Sequence, residues 1–423
     1  MPISTIAHIA LRSVLNRRVT ALLTILSIAL SVTLFLGVEK IRSGAQAGFS
    51  NTVSGTDLIV GARSGALNLL LYSVFRIGDA TNNVTWESYQ DISSRSEVAW
   101  AVPISLGDSH RGFRVMGTTP AYFDHYQTGN RQALAFADGK PFADIFDVVL
   151  GADVAADLSY GLDAKIVIAH GIGSVSFAKH DNLPFRVVGI LERTGTPVDR
   201  TLHVPLEGIE AIHMGWSGGA APRGGQVPGE ADVRAADLEP ASITAFFLGL
   251  NSRIAVLTLQ RDINTYNQEA LMAIIPGVAL IQLWDVVGVA EAALSAIAAF
   301  VILIGLFGLM TNILTSLNER RREMAILRSV GAGAVHVAFL LVSEAVVLAA
   351  AGAFLGLGFV QVLLWVAGPL IVEATGVFVG GPSISLFDLI AVGIVITLAA
   401  VLAAFPAWRA YRQSLSDGLT IRV

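Results

Sequence analysis

Long apolar runs and a mixed polar region divide this chain into two kinds of segment. Four runs, 19–38, 286–317, 335–366 and 386–407, are almost free of charged residues. About 20 apolar residues cross the hydrocarbon core of a bilayer, so each run is long enough to span one. The second and third runs exceed that length and are expected to tilt or to project from the bilayer. The pattern predicts four transmembrane α-helices.

Residues 39–285 have the mixed charges, glycines, prolines and short apolar runs of a soluble domain. Alternating apolar positions predict strands at 56–60, 98–102, 113–117, 165–169, 185–190 and 254–259. Helical periodicity predicts helices at 86–93, 152–158 and 261–274. The predicted fold is therefore a membrane protein with four transmembrane helices and a large α/β extracytoplasmic domain inserted between helices 1 and 2.

A segment rich in glycine and proline, at about 215–240, lacks any apolar pattern and is predicted to be a mobile loop. It separates the bulk of the domain from a returning strand–helix unit. We therefore expect one lobe built from both ends of the domain, with a second lobe inserted between them.

Shorter segments complete the predicted organisation. Residues 1–18 are interpreted either as an amphipathic helix on the inner leaflet or as a basic flank that only sets topology. Residues 318–334 form a charged segment, 367–385 a short external loop and 408–423 a tail. The first run follows basic residues and precedes Ala45-Gln46-Ala47, as a signal peptide would. It is longer than the usual apolar core of such peptides, so an uncleaved anchor is predicted.

Composition and charge support this organisation and orient it. The chain is 53% hydrophobic and 14% charged, with a mean hydropathy of +0.64, whereas soluble domains are about 25% charged. Loop 367–385 has no lysine or arginine. The other span ends carry Arg12, Arg17, Arg18, Arg320, Arg321, Arg322, Arg328, Arg409, Arg412 and Arg422. Because basic residues stay inside, both termini and the charged segment are predicted to be cytoplasmic.

The charged segment has a second pattern. Five of the six residues 318–323 are charged, and Met324, Leu327 and Val330 form an apolar stripe at helical spacing. Gly331 and Gly333 then mark a stop before the third run. Positive charges after a span are often topology signals alone. A capped amphipathic helix is not needed for that purpose, so a docking helix for a soluble partner is favoured.

Chemistry that the sequence lacks narrows the function. No phosphate-binding G-x-x-x-x-G-K-[ST] motif occurs, so any ATP is expected to bind to another chain. The absence of cysteine excludes disulfides and thiol chemistry. His170, His180 and Asp181 are the obvious trio for a metal, but their spacing fits no compact ligand pattern and structural histidines are favoured. No catalytic residue, metal site or cofactor is predicted on this chain.

Two features of the third run admit alternatives. Glu344 is a charge within a span, which costs roughly 2.5–3.5 kcal/mol at the centre of a helix. It either faces the bundle in a coupling role or lies near the cytoplasmic interface, the interpretation that we favour. Gly352, Gly356 and Gly358 have the spacing of a close helix contact, although glycine is also common in membrane helices.

Several motifs resemble one known family, the ABC-transporter permeases of the MacB and FtsX type, also called type VII or mechanotransmission permeases. Residues 319–332 are similar to the family's E-R-x-R-E-I-x-x-L-R-A-x-G-A loop. Residues 10–24 look like the family's N-terminus, and residues 406–410 look like its P-A-x-x-A motif at the end of the last span. Residues 149–152 and 185–190 look like two of its recurrent strands. The chain differs from MacB proper in having no fused ATPase domain, and from short FtsX in its larger outer domain.

The resemblance implies a protein of the bacterial inner membrane whose large domain is periplasmic. It implies two copies of an ABC ATPase that bind ATP and Mg, a second permease copy or a paralogue, a possible periplasmic adaptor or substrate protein, and membrane lipids, with no nucleic acid. Coupling to the ATPase would fall on Glu319, Arg320, Arg321, Arg322, Glu323, Leu327, Arg328 and Gly331. The chain would be a permease subunit and not an enzyme.

The implied function is the ATP-driven motion of the periplasmic domain. That motion would move lipoprotein, peptide or small hydrophobic substrates out of the inner membrane or the periplasm. The alternative is a transmembrane regulator that activates a cell-wall hydrolase or transmits a signal without transporting a substrate.

Overall fold

The computed structural model describes residues 18–52, 54–128, 132–170, 183–214, 229–319, 332–375 and 381–412. They form two compact units. The helical unit contains the described parts of 1–45, 288–375 and 379–423, and the α/β unit contains those of 46–287.

The secondary-structure elements follow one another along the chain in an order that separates long helices from a strand-rich middle. They are α1 (Arg18–Asn51), β1 (Leu58–Ala62), α2 (Ala66–Ser73), β2 (Val84–Thr85), α3 (Trp86–Ser93), β3 (Val98–His110), β4 (Phe113–Thr118), α4 (Ala121–His125), β5 (Gln127–Thr128), β6 (Gln132–Ala133), β7 (Phe136–Gly139), β8 (Asp147–Leu150), α5 (Ala152–Leu158), β9 (Lys165–Ile166), β10 (Ala169–His170), β11 (Phe185–Leu191), a 3₁₀ turn (Pro197–Arg200), β12 (Thr201–Pro205), α6 (Leu206–His213), α7 (Glu230–Arg234), β13 (Ser242–Ile243), β14 (Ala245–Leu250), α8 (Ala255–Asn264), β15 (Leu271–Ile274), α9 (Pro276–Glu319), α10 (Ala334–Thr375) and α11 (Leu386–Arg412).

Four helices of the described chain, α1, α9, α10 and α11, are long and apolar enough to cross a membrane. The predicted fold class is confirmed, because these helices flank an α/β domain that follows the first of them. Helix α9 has 44 residues and is roughly 66 Å long at 1.5 Å per residue, twice the thickness of a hydrocarbon core. Both α1 and α9 continue in the chain from the helical unit into the α/β unit.

Helices α10 and α11 pack against each other, and buried small residues recur on both. Ala345, Ala349 and Ala353 follow one another at intervals of four on α10, and none has exposed surface. On α11 the same interval separates the buried residues Ala391, Val395, Ala399, Ala403 and Ala407. An interval of four places such residues on one face of a helix, and small side chains there allow a neighbouring helix to approach closely. Without a hydrophobic driving force between helices in lipid, such close packing is a main source of association.

The α/β unit is built on one mixed sheet of eleven strands in the described residues. Its main order is β15-β1-β14-β3-β4-β12-β8-β11-β7, with β10 added to β3 and β9 added to β11. The β4–β12 and β8–β11 pairs are parallel, and the other pairs are antiparallel. The sheet passes without interruption through both halves of the domain.

The two faces of this sheet carry separate hydrophobic clusters. On β1, Ile59 packs into one cluster, whereas its neighbours Leu58 and Val60 pack into another on the opposite face. The alternation follows from the two-residue period of a strand. The second face has two clusters, one built from both ends of the domain and one from residues 113–238. The domain is one compact unit on one shared sheet, and only the clusters on this face are divided, so the two-lobed arrangement stays a prediction.

Most predicted elements of this domain are present, with one exchange of type. Helices at 86–93 and 152–158 are confirmed. The strand predicted at 254–259 is wrong, because this segment begins helix α8, and the helix predicted at 261–274 ends at Asn264 and is followed by strand β15. Leu259 and Ile263, four residues apart, are the buried positions of α8. A short apolar run does not distinguish helix from strand, and here the packing against β15 decides.

The described part of the predicted glycine-rich loop, residues 229–240, contains helix α7. Val233 is fully buried there. The guanidinium group of Arg234 donates hydrogen bonds of 2.9 and 3.0 Å to the carboxylate of Asp144, and these bonds lower the pKa of Asp144. This end of the segment is therefore fastened to the domain. Residues 215–228 of the predicted loop lie outside the described residues.

Gly151 is a position at which this packing can be tested. A Cβ atom built there lies 2.2 Å from the carbonyl oxygen of Val198 and 2.4 Å from that of Asp199, so the backbone would have to move. We expect Gly151→Ala to lower the free energy of unfolding by about 1–3 kcal/mol, the usual cost of overpacking. Chemical unfolding of the full chain in detergent measures this.

Gly161→Ala is the matched control for this substitution. A Cβ atom at Gly161 has no neighbour within 4 Å. Equal losses of stability in the two variants would contradict the packing described at Gly151.

Candidate functional site in the helical unit

The predicted coupling residues flank and fill the connection between α9 and α10. Glu319 is the last residue of α9, and α10 begins at Ala334. Ala332 is buried just before α10. Arg320, Arg321, Arg322, Glu323, Leu327, Arg328 and Gly331 lie outside the described residues. The segment is connected at its two ends to α9 and α10, so a force on it would act on these two membrane helices.

Polar side chains connect α9 and α1 at two levels. The side-chain amide of Asn312 donates to the hydroxyl of Thr24 at 3.1 Å. The hydroxyl of Ser31 lies 3.2 Å from the carbonyl of Val301, while its shorter bond of 2.8 Å is to the carbonyl of Ser27 on its own helix. The hydroxyls of the neighbouring Thr311 and Thr315 bond to carbonyls of their own helix four residues earlier.

Helix α10 packs directly on the backbone of α1. A Cβ atom at Gly356 would lie 2.6 Å from the carbonyl oxygen of Ala29, and one at Gly352 would lie 2.9 Å from that of Ile25. The hydroxyl of Thr33 lies 3.1 Å from the carbonyl of Gly356 and 2.8 Å from that of Ala29 on its own helix, so its one proton is shared between them. The close contact predicted for this glycine series is thus present at Gly352 and Gly356. Gly358 has nothing within 4 Å and takes no part in it.

A buried ion pair joins α1 to the start of α11. The ammonium group of Lys40 lies 2.8 Å from the carboxylate of Asp388, and the two side chains are 10% and 1% exposed. Lys40 also donates to the carbonyl of Ser383. Asp388 accepts a bond from the backbone N–H of Ser385, and the hydroxyl of Ser385 accepts one from the N–H of Asp388, which is a capping box. The two partners of this pair lie 348 residues apart in the sequence, so no local pattern indicates it.

Glu344 is buried within the helical unit, with 7% of its surface exposed. This burial corresponds to the bundle-facing alternative and not to the interfacial one that the sequence favoured. The residue is not isolated, because it takes part in an interaction with its surroundings. A charge at this depth is tolerated when it faces protein and has a partner.

A cavity of about 300 Å³ borders the middle of α9 at Ala299, Ile302 and Leu303. Only apolar side chains line it, and they belong to α1, α9 and α11. The aromatic rings of Phe35 and Phe387 stack at its edge with centroids 6.2 Å apart. Atoms that face a cavity lose dispersion contacts on that side.

Histidines of the α/β unit serve its packing. The ring of His110 bonds to the carbonyl of Val167 and to the hydroxyl of Tyr160, and burial lowers its pKa. His203 is fully buried between the rings of Tyr122 and Phe123, and burial lowers its pKa to about 3. Among the described residues no three acidic or histidine side chains are grouped as metal ligands would be. His180 and Asp181 of the predicted trio lie outside them.

One sequence motif for nucleophilic catalysis is present by spacing. Gly215-Trp-Ser-Gly-Gly219 fits the G-x-S-x-G pattern of a nucleophile elbow. An elbow follows a strand, whereas the described element that precedes this motif is helix α6. The motif itself lies outside the described residues, and no catalytic role is assigned to it.

Comparison with known proteins identifies this arrangement. The sequence profile of a MacB-like periplasmic core domain matches residues 21–243, which is more than half of the chain. That of an FtsX-like permease C-terminal region matches residues 295–415. The chain belongs to the MacB/FtsX family of ABC-transporter permeases. The predicted family is confirmed, and the helices with a periplasmic-type domain fit an inner-membrane protein.

Individual relatives of this MacB/FtsX-family permease show how far the similarity extends. The "Macrolide export ATP-binding/permease protein MacB" of Nitrobacter winogradskyi is 26% identical over 414 residues. That alignment covers 94% of this chain and 57% of the MacB protein, so the permease spans little more than half of its relative.

Two solved structures of extracytoplasmic regions are also similar. The periplasmic region of MacB from Actinobacillus actinomycetemcomitans has 12% identity and a TM-score of 0.34, over 55% of this chain and 94% of that one. The extracellular domain of the transporter YknZ from Gram-positive bacteria has 12% identity and a TM-score of 0.30, over 52% and 99%.

The contact between α1 and α10 gives a first test of the site. Gly356→Val would place side-chain atoms against the backbone of Ala29, so we expect the helical unit to lose stability and the permease to unfold at a lower temperature. Gly358→Val, two residues away, meets open space and is expected to change the unfolding temperature little. If both variants unfold like the unmodified chain, the helices are not in this contact.

His203 gives a second test, through pH. Its pKa is about 3 in the folded chain against an ordinary value of 6.5, so below pH 6.5 the unfolded state binds a proton that the folded state excludes. Stability should therefore fall as pH is lowered from 6.5 towards 3, by up to about 1.4 kcal/mol per pH unit from this residue. Unfolding by denaturant at a series of pH values measures the slope.

His203→Phe keeps an aromatic ring and removes the titrating group. The slope of stability against pH should become shallower in this variant while the carboxylates continue to titrate. Identical slopes for the two proteins between pH 6 and pH 4 would show that His203 is not buried in its neutral form.

Proposed function

We propose that this chain is the permease subunit of an ABC-type transporter driven by a separate ATPase. Hydrolysis of ATP by that partner, with Mg, moves the segment 318–334, and helices α1 and α9 carry the motion to the α/β domain. The observation that carries the proposal is the path of α9, which runs from Pro276 in the α/β unit to Glu319 at the start of the charged segment. One continuous helix thus begins in the α/β unit and ends at the charged segment.

The hydrogen bonds between α9 and α1 support this path. Asn312 lies seven residues from the end of α9 and is bonded to Thr24 of α1. A displacement of the charged segment therefore reaches α1 as well as α9. Both helices continue into the α/β unit, so that unit receives the motion at two points of its chain.

The orientation follows from the basic residues. With the arginines of the termini and of segment 318–334 in the cytoplasm, the α/β domain lies in the periplasm. The motion then acts on molecules that are already outside the cytoplasm, namely lipoproteins, peptides or small hydrophobic molecules. The name of the Nitrobacter relative as a macrolide exporter that also binds ATP is consistent with such an activity.

The partners of the permease follow from the same proposal. Two ATPase subunits would act with two permeases, either two copies of this chain or this chain and a paralogue. A periplasmic adaptor or substrate protein would meet the α/β domain. The charged side chains Arg320, Arg321, Arg322, Glu323 and Arg328, with Glu319, Leu327 and Gly331, would form the surface that the ATPase holds.

Replacing one charge of this surface tests the proposal. We expect Glu323→Ala or Arg328→Ala to weaken ATPase association about tenfold or more, because a hydrogen bond to a charged group contributes roughly 1.5–3 kcal/mol. Membrane insertion and the unfolding temperature should not change. The measurements are co-purification of the ATPase with the permease and ATP hydrolysis by the purified complex.

Arg409→Ala is the matched control. It removes an exposed arginine at the same predicted side of the membrane but outside the charged segment. Full ATPase association in the Glu323 and Arg328 variants, or a wild-type permease that never binds an ATPase, would contradict the assignment. Intact export with a lost hydrolase activity in the cell wall would favour a regulator instead.

A further inference from the structure

The α/β unit contains a polar cavity of about 480 Å³. Its walls come from helix α2, the loop 78–83 that follows it, strands β3 and β4, and Thr244 just before β14. Pockets of roughly 300–1,000 Å³ with a few convergent polar groups are the usual sites of small ligands. The cavity lies within one compact unit, so its geometry does not depend on the membrane helices.

An irregularity in the sheet makes room for this cavity. The register between β3 and β4 shifts between Leu106 and Ser109. Here the backbone N–H of Leu106 donates to the hydroxyl of Thr244 at 2.9 Å. Gly107 comes next, and a Cβ atom built there would meet nothing within 4 Å, so the space beside the strand stays open. Bulges of this kind are over-represented next to functional sites.

Arg114 of β4 and Asp79 of the loop place opposite charges side by side in the wall. The guanidinium group of Arg114 donates 2.9 Å to the carboxylate of Asp79 and 2.8 Å to the carbonyl of Gly78. The side chain of Arg114 is 12% exposed, and that of Asp79 is 67% exposed. A guanidinium group has five N–H donors and a carboxylate has two oxygens. In the described part of the chain both groups therefore keep capacity to bind a ligand.

Neutral groups complete the wall. Tyr72 is almost fully buried, and burial raises the pKa of its hydroxyl to about 12, so it is uncharged at neutral pH. The side-chain nitrogen of Asn83 bonds to the hydroxyl of Ser242 at 3.2 Å, which leaves the amide oxygen as an acceptor. Leu106 and Ala80 add apolar surface.

The two charges in the wall determine which ligand charge fits. An anion would be attracted by Arg114 but repelled by Asp79, and a cation would meet the reverse. A molecule that carries both charges on neighbouring groups is attracted at both places. An α-amino acid has this arrangement, because a single carbon atom separates its ammonium group from its carboxylate. Hydrogen bonds between charged groups are also the stronger ones.

We propose that this cavity binds a free α-amino acid, with its carboxylate on Arg114 and its ammonium group on Asp79. The side chain of the ligand extends towards Asn83, whose amide oxygen accepts from a donor such as a carboxamide. The inference goes beyond the proposed function, because it assigns a ligand to the α/β domain itself. Binding needs no ATPase and can be measured on this chain alone.

Calorimetric titration of the full chain with L-glutamine tests the inference, in nanodiscs of phosphatidylethanolamine and phosphatidylglycerol. Two analogues keep the carbon skeleton and the carboxamide. One is 4-carbamoylbutyrate, which lacks the ammonium group, and the other is 4-aminobutanamide, which lacks the carboxylate. We expect glutamine to bind about tenfold more tightly than either analogue. A chain that binds no glutamine, or that binds 4-carbamoylbutyrate equally well, would overturn the inference.

Asp79→Asn tests the role of the carboxylate. The residue is mostly exposed, so the variant is expected to fold. It should bind glutamine about tenfold more weakly and 4-carbamoylbutyrate no more weakly than the natural chain does, which removes the preference for glutamine. A carboxylate that only fastens the loop to β4 would make its loss weaken both compounds alike, and that result would contradict the proposed role.

Asp91→Asn is the matched control. Asp91 is also a partly exposed acid paired with an arginine, Arg95, at 3.4 Å, but it does not line the cavity. Its replacement should leave glutamine binding unchanged, and an equal loss in both variants would show an effect of net charge and not of the cavity. None of these titrations involves an ATPase. A failure of the proposed function would appear separately, as a permease that binds no ATPase.

Discussion

The structure of the helical unit depends on the direct contact between the backbones of α1 and α10. Gly352 and Gly356 have no side chain, and α10 lies so close to α1 that a Cβ atom at either position would be within 3 Å of the carbonyl oxygen of Ile25 or Ala29. In a bilayer, where apolar side chains gain nothing by leaving lipid for one another, such close packing and buried polar contacts hold helices together. Because α1 also bonds to α9 and α11, the position of α1 determines the positions of all three.

Helix α1 makes a different kind of contact at each of three positions along its length. Near the segment that is proposed to receive the ATPase, Thr24 bonds to Asn312 of α9. In the middle, the glycines of α10 contact it, and at the outer end Lys40 is paired with Asp388 in a buried setting. Removing one partner of a buried pair costs about 3–5 kcal/mol, so this end is the most strongly fastened to α11.

The sheet of the α/β unit is covered by hydrophobic clusters on both of its faces. Strands such as β1 and β14 are covered on both faces, and their side chains alternate between two hydrophobic clusters. A sheet buried on both faces keeps its register firmly, because a slip of one residue would exchange the two clusters. The neutral histidine His203 belongs to this core, and the helix α7 is attached to it by Arg234 and Asp144. The domain is thus a firm body suited to being moved as a whole.

The sequence by itself determined the elements that depend on local pattern. The lengths of the apolar runs predicted the four membrane helices. Local patterns of apolar residues also predicted strands β1 and β11 and the helices at 86–93 and 152–158. The charged motif at 319–332 indicated the family. Tertiary structure alone decided which contacts form over long separations. Lys40 forms an ion pair with Asp388. The segment of α8 is a helix that packs on β15, and Glu344 is buried inside the helical unit. These outcomes were not predictable, because each depends on a partner distant in sequence or on burial that no local pattern records.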